Sequence, residues 1–207
     1  IRNAGGTALP VATDITDPES VKALVDTAVE KYGRLDVIVN SAGILEDGLP
    51  SIDKFKDEDL DRILNTNTKG TLYCMREASR AMLAAKNGGS IINVASVAGV
   101  VGNGGAAYVA SKGAIIAETR HAALRLNSDN IRVNAICPGS INTPMNAGAQ
   151  VIPDMDLINQ LMKHADIQRV PMICEPEHVA HLIVYLASDE SAPVTGQSIV
   201  MDYGVNL

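Results

Sequence analysis

The chain has 207 residues, 46% of them hydrophobic and 20% charged, with a formal net charge of -7. That length allows one domain, or two small ones joined by a linker; no linker is found, so one domain over residues 1–207 with a sizeable buried core is expected, and the composition excludes a disordered acidic tail. No apolar run reaches the roughly 18 residues that a membrane-spanning helix needs, and one Phe, five Tyr and no Trp beside that acidic balance argue against nucleic acid as a partner.

Ile1 to Gly6 reads as the end of a helix, and Ala8 to Thr13 as a short strand closed by Asp14. Pro18 then opens a helix whose apolar residues Val21, Leu24, Val25, Ala28 and Val29 fall at three- and four-residue spacing and which stops near Gly33. Leu35 to Val39 is a buried-type strand run. Asp57 to Ala85 has the pattern of one long helix, ended by Asn87-Gly88-Gly89. A strand over Ser90 to Ala95, a helix over Ala106 to Leu126 and a strand over Ile131 to Ile136 follow. A helix near Glu177 to Ala187 and a strand around Ser198 to Met201 end the series. Such alternation predicts βαβ units, a mainly parallel sheet and right-handed crossovers. The stretch 142–174 is long and weakly patterned, which predicts a substrate-binding flap within the domain.

Ligands of open parallel sheets bind beyond the carboxyl ends of the strands. Asp14, Asn40-Ser41-Ala42-Gly43, Ser96 and Pro138-Gly139 all occupy such ends. Tyr108 and Lys112 stand four apart at the start of a predicted helix, so phenol and ammonium lie on one face, where a cation lowers a tyrosine pKa towards the range useful for proton transfer. His178 and His181 are three apart, but no third ligand follows at useful spacing, so they read as a solvated helical face and no metal site is expected. Cys74, Cys137 and Cys174 are odd in number and share no CxxC spacing, which argues against a disulfide framework and for a reducing, cytoplasmic setting.

Taken in order, these motifs resemble the short-chain dehydrogenase/reductase family. The Tyr-x-x-x-Lys signature is Tyr108 to Lys112, with Ser96 twelve residues upstream. Asn40-Ser41-Ala42-Gly43 is similar to the family's Asn-Asn-Ala-Gly, Asn67 matches the long-helix asparagine, and Asn134 to Gly139 followed by Thr143 resembles the segment over the nicotinamide. Thr195-Gly196-Gln197 leading to Asp202 resembles the last strand. The serine-to-tyrosine separation is one residue shorter than the family's usual one, and Asp202-Tyr203-Gly204 departs from Asp-Gly-Gly.

The resemblance implies an oxidoreductase that moves a hydride between NAD or NADP and a ketone or secondary alcohol, such as a 3-oxoacyl, steroid-like or polyol substrate. It implies a catalytic set of Asn67, Ser96, Tyr108 and Lys112: Tyr108 as general acid or base, Ser96 on the substrate oxygen, Lys112 on the ribose hydroxyls and lowering the Tyr108 pKa, and Asn67 anchoring a relay water. Cofactor contacts carried over are Asp14 and Ile15 at the adenine, Asn40, Ala42 and Gly43 along the adenosine ribose, and Pro138, Gly139, Ile141 and Thr143 at the nicotinamide, besides Tyr108 and Lys112. It further implies a homotetramer, with a dimer as the next possibility.

The family's Gly-rich turn after its first strand is not found in this sequence: Gly102-Asn103-Gly104-Gly105 follows a different strand and Gly5-Gly6 precedes one. The fold expected is therefore a three-layer Rossmann-type, doubly wound parallel α/β sheet whose first two strands are absent from these residues. In the order 3-2-1-4-5-6-7 the two lie between the third and fourth strands, so a longer parent polypeptide is expected, with on the order of 45 further residues. The alternative reading is a non-catalytic remnant or interaction scaffold that keeps the motifs without binding a dinucleotide.

Overall fold

The computed structural model describes residues 1–148 and 173–206. Four strands form a parallel sheet: β1 (Val37–Asn40), β2 (Gly89–Val94), β3 (Ile131–Pro138) and β6 (Ser198–Met201), in the order β1-β2-β3-β6. A two-stranded parallel pair, β4 (Ser140–Ile141) with β5 (Ile173–Cys174), sits at the base of the 142–174 stretch. The interior of that expected flap, residues 149–172, lies outside the described residues.

Helix α1 (Pro18–Tyr32) starts where Asp17 accepts a bond from the Glu19 N–H at 3.0 Å, with Pro18 in the first turn. It ends at Gly33, which takes the left-handed φ of 84° that a β-carbon would disfavour. The long helix divides into α2 (Asp57–Ile63), a π-helical segment (Leu64–Gly70) and α3 (Thr71–Ala85). After the short α4 (Ala98–Val101), α5 (Ala106–Leu126) crosses from β2 to β3; α6 (Pro144–Gly148) follows β4, and α7 (Pro176–Ala187) leads to β6.

Strand alternation sends successive side chains to opposite faces, and two apolar layers result. On one face Met75 and Met82 of α3 and Ala123 of α5 pack on Ile91 and Val133, while Ile115 and Ile116 of α5 cover Ala135 and Cys137. On the other, Val179 and Leu186 of α7 cover Ile92 and Ile136. Helix, sheet and helix make the expected three layers.

One expected element is absent. Residues 8–13 form no strand, and Leu9 and Val11 are exposed. A strand exists only through its ladder partners, and the family's sheet order would hold this segment three strand spacings, about 14 Å, from β1. The opening helical reading also shrinks, to a single 3-10 turn at Arg2–Ala4 closed by Gly5 at φ 80°.

Candidate active site

Polar side chains gather where the loops after β1 and β2 meet the first turns of α5. Ser96 follows β2 and is almost fully buried; its hydroxyl accepts from the Ala98 N–H at 3.1 Å. Tyr108 lies in the first turn of α5. Lys112, one turn on, is 5% exposed, with its ammonium 5.6 Å from the centre of the Tyr108 ring and 2.8 Å from the Val94 carbonyl oxygen to which it donates. Gly43 of the loop after β1 stands over it: a β-carbon there would lie 3.5 Å from Lys112 Nζ and 3.5 Å from Asn67 Oδ1.

Asn67 is wholly buried in the π-helical segment, a distortion that often marks functional sites in helices. Its Oδ1 accepts from the Ile44 N–H at 2.8 Å, and its Nδ2 donates to the Ile44 carbonyl at 2.8 Å and to Ser111 Oγ at 3.0 Å. Both amide hydrogens are thereby spent, so the side chain has no donor left for a relay water. Ser111 in turn donates to the Tyr108 carbonyl at 2.8 Å, which ties the π segment to the helix carrying the tyrosine.

The electrostatics differ from the sequence expectation. Burial pushes the Tyr108 phenol above its usual pKa; the Ser96 side chain at the phenol pulls it back down, and the Glu46 carboxylate pushes it further up. Burial also lowers Lys112 from the ordinary 10.5 to about 8. Desolvation, more than the nearby cation, governs the phenol in this chain.

The other expected contacts spread along the same rim. Asn40 donates to Asn93 Oδ1 at 2.8 Å, and Asn93 donates to Thr119 at 2.9 Å, so the end of β1 is braced through β2 to α5. Ala42 lies between this brace and Gly43. Asp14 takes the Thr16 N–H and hydroxyl, both at 2.8 Å, and the backbone bond first, then the hydroxyl, lowers its pKa. Ile15 packs against Gly70 at the end of the π segment, where a β-carbon would come within 2.8 Å of it. The Pro138 carbonyl accepts from the Val97 N–H at 2.9 Å, and Gly139 closes on Asp202. Ile141 sits in β4, and its carbonyl accepts from the Thr143 hydroxyl at 3.5 Å. His178 and His181 are exposed, as a solvated helical face requires; His178 accepts from the Glu175 N–H at 3.2 Å and has the Tyr203 hydroxyl 3.3 Å from the same nitrogen.

Sequence reasoning missed Glu46. It is fully buried, and its Oε1 accepts from the Tyr108 N–H at 3.2 Å. No local signal marks it, because a carboxylate in a loop between Leu45 and Asp47 reads as a solvated side chain.

Residues fit a dinucleotide on the nicotinamide side. Lys112 has three ammonium hydrogens and, among the described residues, one protein acceptor, which leaves donors for vicinal hydroxyls beside Gly43, where no side chain intervenes.

Comparison with known proteins agrees with this reading. A family model described as enoyl-(acyl carrier protein) reductase matches residues 1–206. The chain is 41% identical over 199 residues to the 3-oxoacyl-[acyl-carrier-protein] reductase FabG of Thermotoga maritima, covering 95% of this chain and 76% of that protein. It is 33% identical over 195 residues to 3beta-hydroxysteroid dehydrogenase 2 of Eggerthella lenta, covering 94% and 74%. The crystal structure of NAD+-bound xylitol dehydrogenase superposes with a TM-score of 0.83 at 32% identity, covering 98% of this chain and 81% of that one. These relatives favour an enzyme over a scaffold, and with the parallel sheet, the Tyr-x-x-x-Lys helix and its serine they make the chain a member of the short-chain dehydrogenase/reductase family, an NAD(P)-dependent oxidoreductase of carbonyl and alcohol substrates.

Proposed function

We propose that Tyr108 is the acid/base of this oxidoreductase, that Ser96 hydrogen-bonds the substrate oxygen, and that Lys112 holds the nicotinamide ribose. The observation that carries the proposal is the convergence of the Ser96 hydroxyl, the Tyr108 phenol and the Lys112 ammonium at one buried point beside Gly43. NAD(P) supplies or accepts the hydride when bound. In reduction Tyr108 gives its proton to the carbonyl oxygen, while Ser96 donates to that oxygen as charge develops. A phenol held protonated by burial suits the reductive direction.

Asn67 acts by position. Its side chain pins Ile44 and Ser111, so a relay water would be held by main-chain groups of the π segment, not by the amide. Asp14, Ile15, Asn40, Ala42 and Gly43 form the border along which the adenosine half would run, and Pro138, Gly139, Ile141 and Thr143 border the nicotinamide half. The stretch 142–174, anchored by the β4–β5 pair, selects the substrate.

Ketones and secondary alcohols are the substrate class: the relatives are named for a 3-oxoacyl carrier-protein substrate, a hydroxysteroid and a polyol, which share that carbon centre. Leu72 and Leu83 project from one side of α3, 40% and 38% exposed, and support a subunit interface in a homotetramer or dimer. The three buried free thiols, Cys74, Cys137 and Cys174, support a cytoplasmic setting. No helix among the described residues is long and apolar enough to cross a membrane.

Titrating the intact protein with NADH and with NADPH, followed by nicotinamide absorbance on a panel of 3-oxoacyl thioesters, steroid ketones and polyols, tests the proposal. Binding of one cofactor and turnover of at least one ketone or alcohol is expected; cofactor binding with no turnover across all three classes contradicts it.

A further inference from the structure

Helix α5 carries both Tyr108 and Lys112, yet its own N-cap position is Gly105, which has no side chain to satisfy the free N–H groups of the first turn. The loop after β1 does so instead. The Pro50 carbonyl accepts from the Ala106 N–H at 3.0 Å, and Glu46 Oε1 accepts from the Tyr108 N–H at 3.2 Å. Gly105 is what admits the carboxylate, since a β-carbon there would overlap it.

A cap alone needs only a neutral oxygen, such as a Ser or Asn side chain supplies. Glu46 is instead a carboxylate with 0% exposure, and its second oxygen, Oε2, has no hydrogen-bond partner among the described residues. A buried polar atom left unpaired costs roughly 1–3 kcal/mol. Such a cost, carried within one residue contact of the reacting phenol, points to a use beyond folding.

We propose that Glu46 is a positioning residue for proton transfer: it caps the catalytic helix from the loop after β1 and places a buried carboxylate where it sets the field met by the Tyr108 phenol. The proposal rests on the reading of Tyr108 as the acid/base. It also closes a ring of contacts, because Ile44, two residues before Glu46, is held on both its N–H and its carbonyl by Asn67, and Asn67 reaches Tyr108 through Ser111. The loop, the π segment and α5 are thus fixed to one another around the tyrosine.

The groups facing the phenol are Glu46 from the loop, Ser96 from the end of β2 and Lys112 from its own helix, with Cys137 of β3 behind Lys112. Ser96 pulls the phenol's pKa down and Glu46 pushes it up. Reduction needs the protonated phenol, so removing the Glu46 charge moves the alkaline fall of kcat to lower pH.

Steady-state pH profiles of the intact protein test this with two variants. Glu46→Gln keeps an acceptor for the Tyr108 N–H and removes the charge, so its alkaline limb moves to lower pH. Glu46→Ala removes both, and kcat falls roughly tenfold or more with KM for the cofactor within about threefold, the sign of a misplaced reacting group; Glu46→Gln recovers most of that kcat. An unmoved limb in Glu46→Gln overturns the proposal, as does a Glu46→Ala variant that loses thermal stability with kcat intact. Tyr108→Phe, run alongside, separates the two readings: if it stays active, the acid/base reading fails by itself, and if it is inactive, an unmoved limb counts against Glu46 alone.

Discussion

In the wall made by β2, β3 and α5, Ile91 lies beside Val133 and Asn93 beside Ala135, and α5 closes over one face while α7 closes over the other. Along the border made by residues 8–13, no neighbour among the described residues offers a ladder, and Leu9 stands 43% exposed. Both regions are rich in apolar residues. The difference lies in what surrounds them, and Ser96, Tyr108 and Lys112 stand beside the part of the sheet that is covered on both faces. These three side chains can be held desolvated only by elements packed on several sides, and desolvation is the largest influence on the protonation of Tyr108 and Lys112.

That contrast can be broken most sharply at Lys112. Lys112→Met is expected to lower turnover by about a hundredfold or more, by removing the cation beside the phenol, while raising stability at neutral pH by about 2 kcal/mol, since a buried ammonium is replaced by an apolar side chain. The folded protein releases the Lys112 proton near pH 8 and the unfolded chain near 10.5. Between those values the unfolded chain binds more protons, so wild-type stability rises with pH, and urea titrations of Lys112→Met should lack that rise.

A smaller effect is expected where α4 meets α5. A β-carbon on Gly99 would come within 2.6 Å of the Lys112 carbonyl carbon and 2.7 Å of the Gly113 nitrogen, and backbone yields less than side chain. Gly99→Ala should cost about 2 kcal/mol or more in urea unfolding, and an unchanged midpoint would mean that this close approach is not maintained in solution. The smallest effect belongs to the border: Leu9→Ser should shift stability by under about 0.5 kcal/mol, and a larger loss would show that residues 8–13 are packed in the working protein.

What could be read from sequence divides along the same line. Helix α5 and strand β6 carry their own signals of period, run length and flanking turns, and they form at Ala106–Leu126 and Ser198–Met201. Ala8 to Thr13 has a strand's composition, but strand formation is decided by a neighbour and not by the segment. The π-helical segment around Asn67 was not legible either, because Leu64 to Gly70 keeps a helical pattern and the bonds that Asn67 shares with Ile44 and Ser111 join residues distant in sequence. Ser96, Tyr108 and Lys112 were visible through spacing and order. Glu46 was hidden, since its burial depends on Gly105, nearly sixty positions away in the chain.

On the proposed function, Tyr108 moves the proton that accompanies hydride transfer. The most direct measurement of that role is single-turnover reduction of a ketone substrate by the intact protein and by Tyr108→Phe, with cofactor binding followed by fluorescence in both. A loss of at least about a thousandfold in the rate is expected, with cofactor affinity within about threefold, the phenol's hydroxyl being the only group removed. A variant that binds cofactor and reduces the ketone at near the wild-type rate would contradict it.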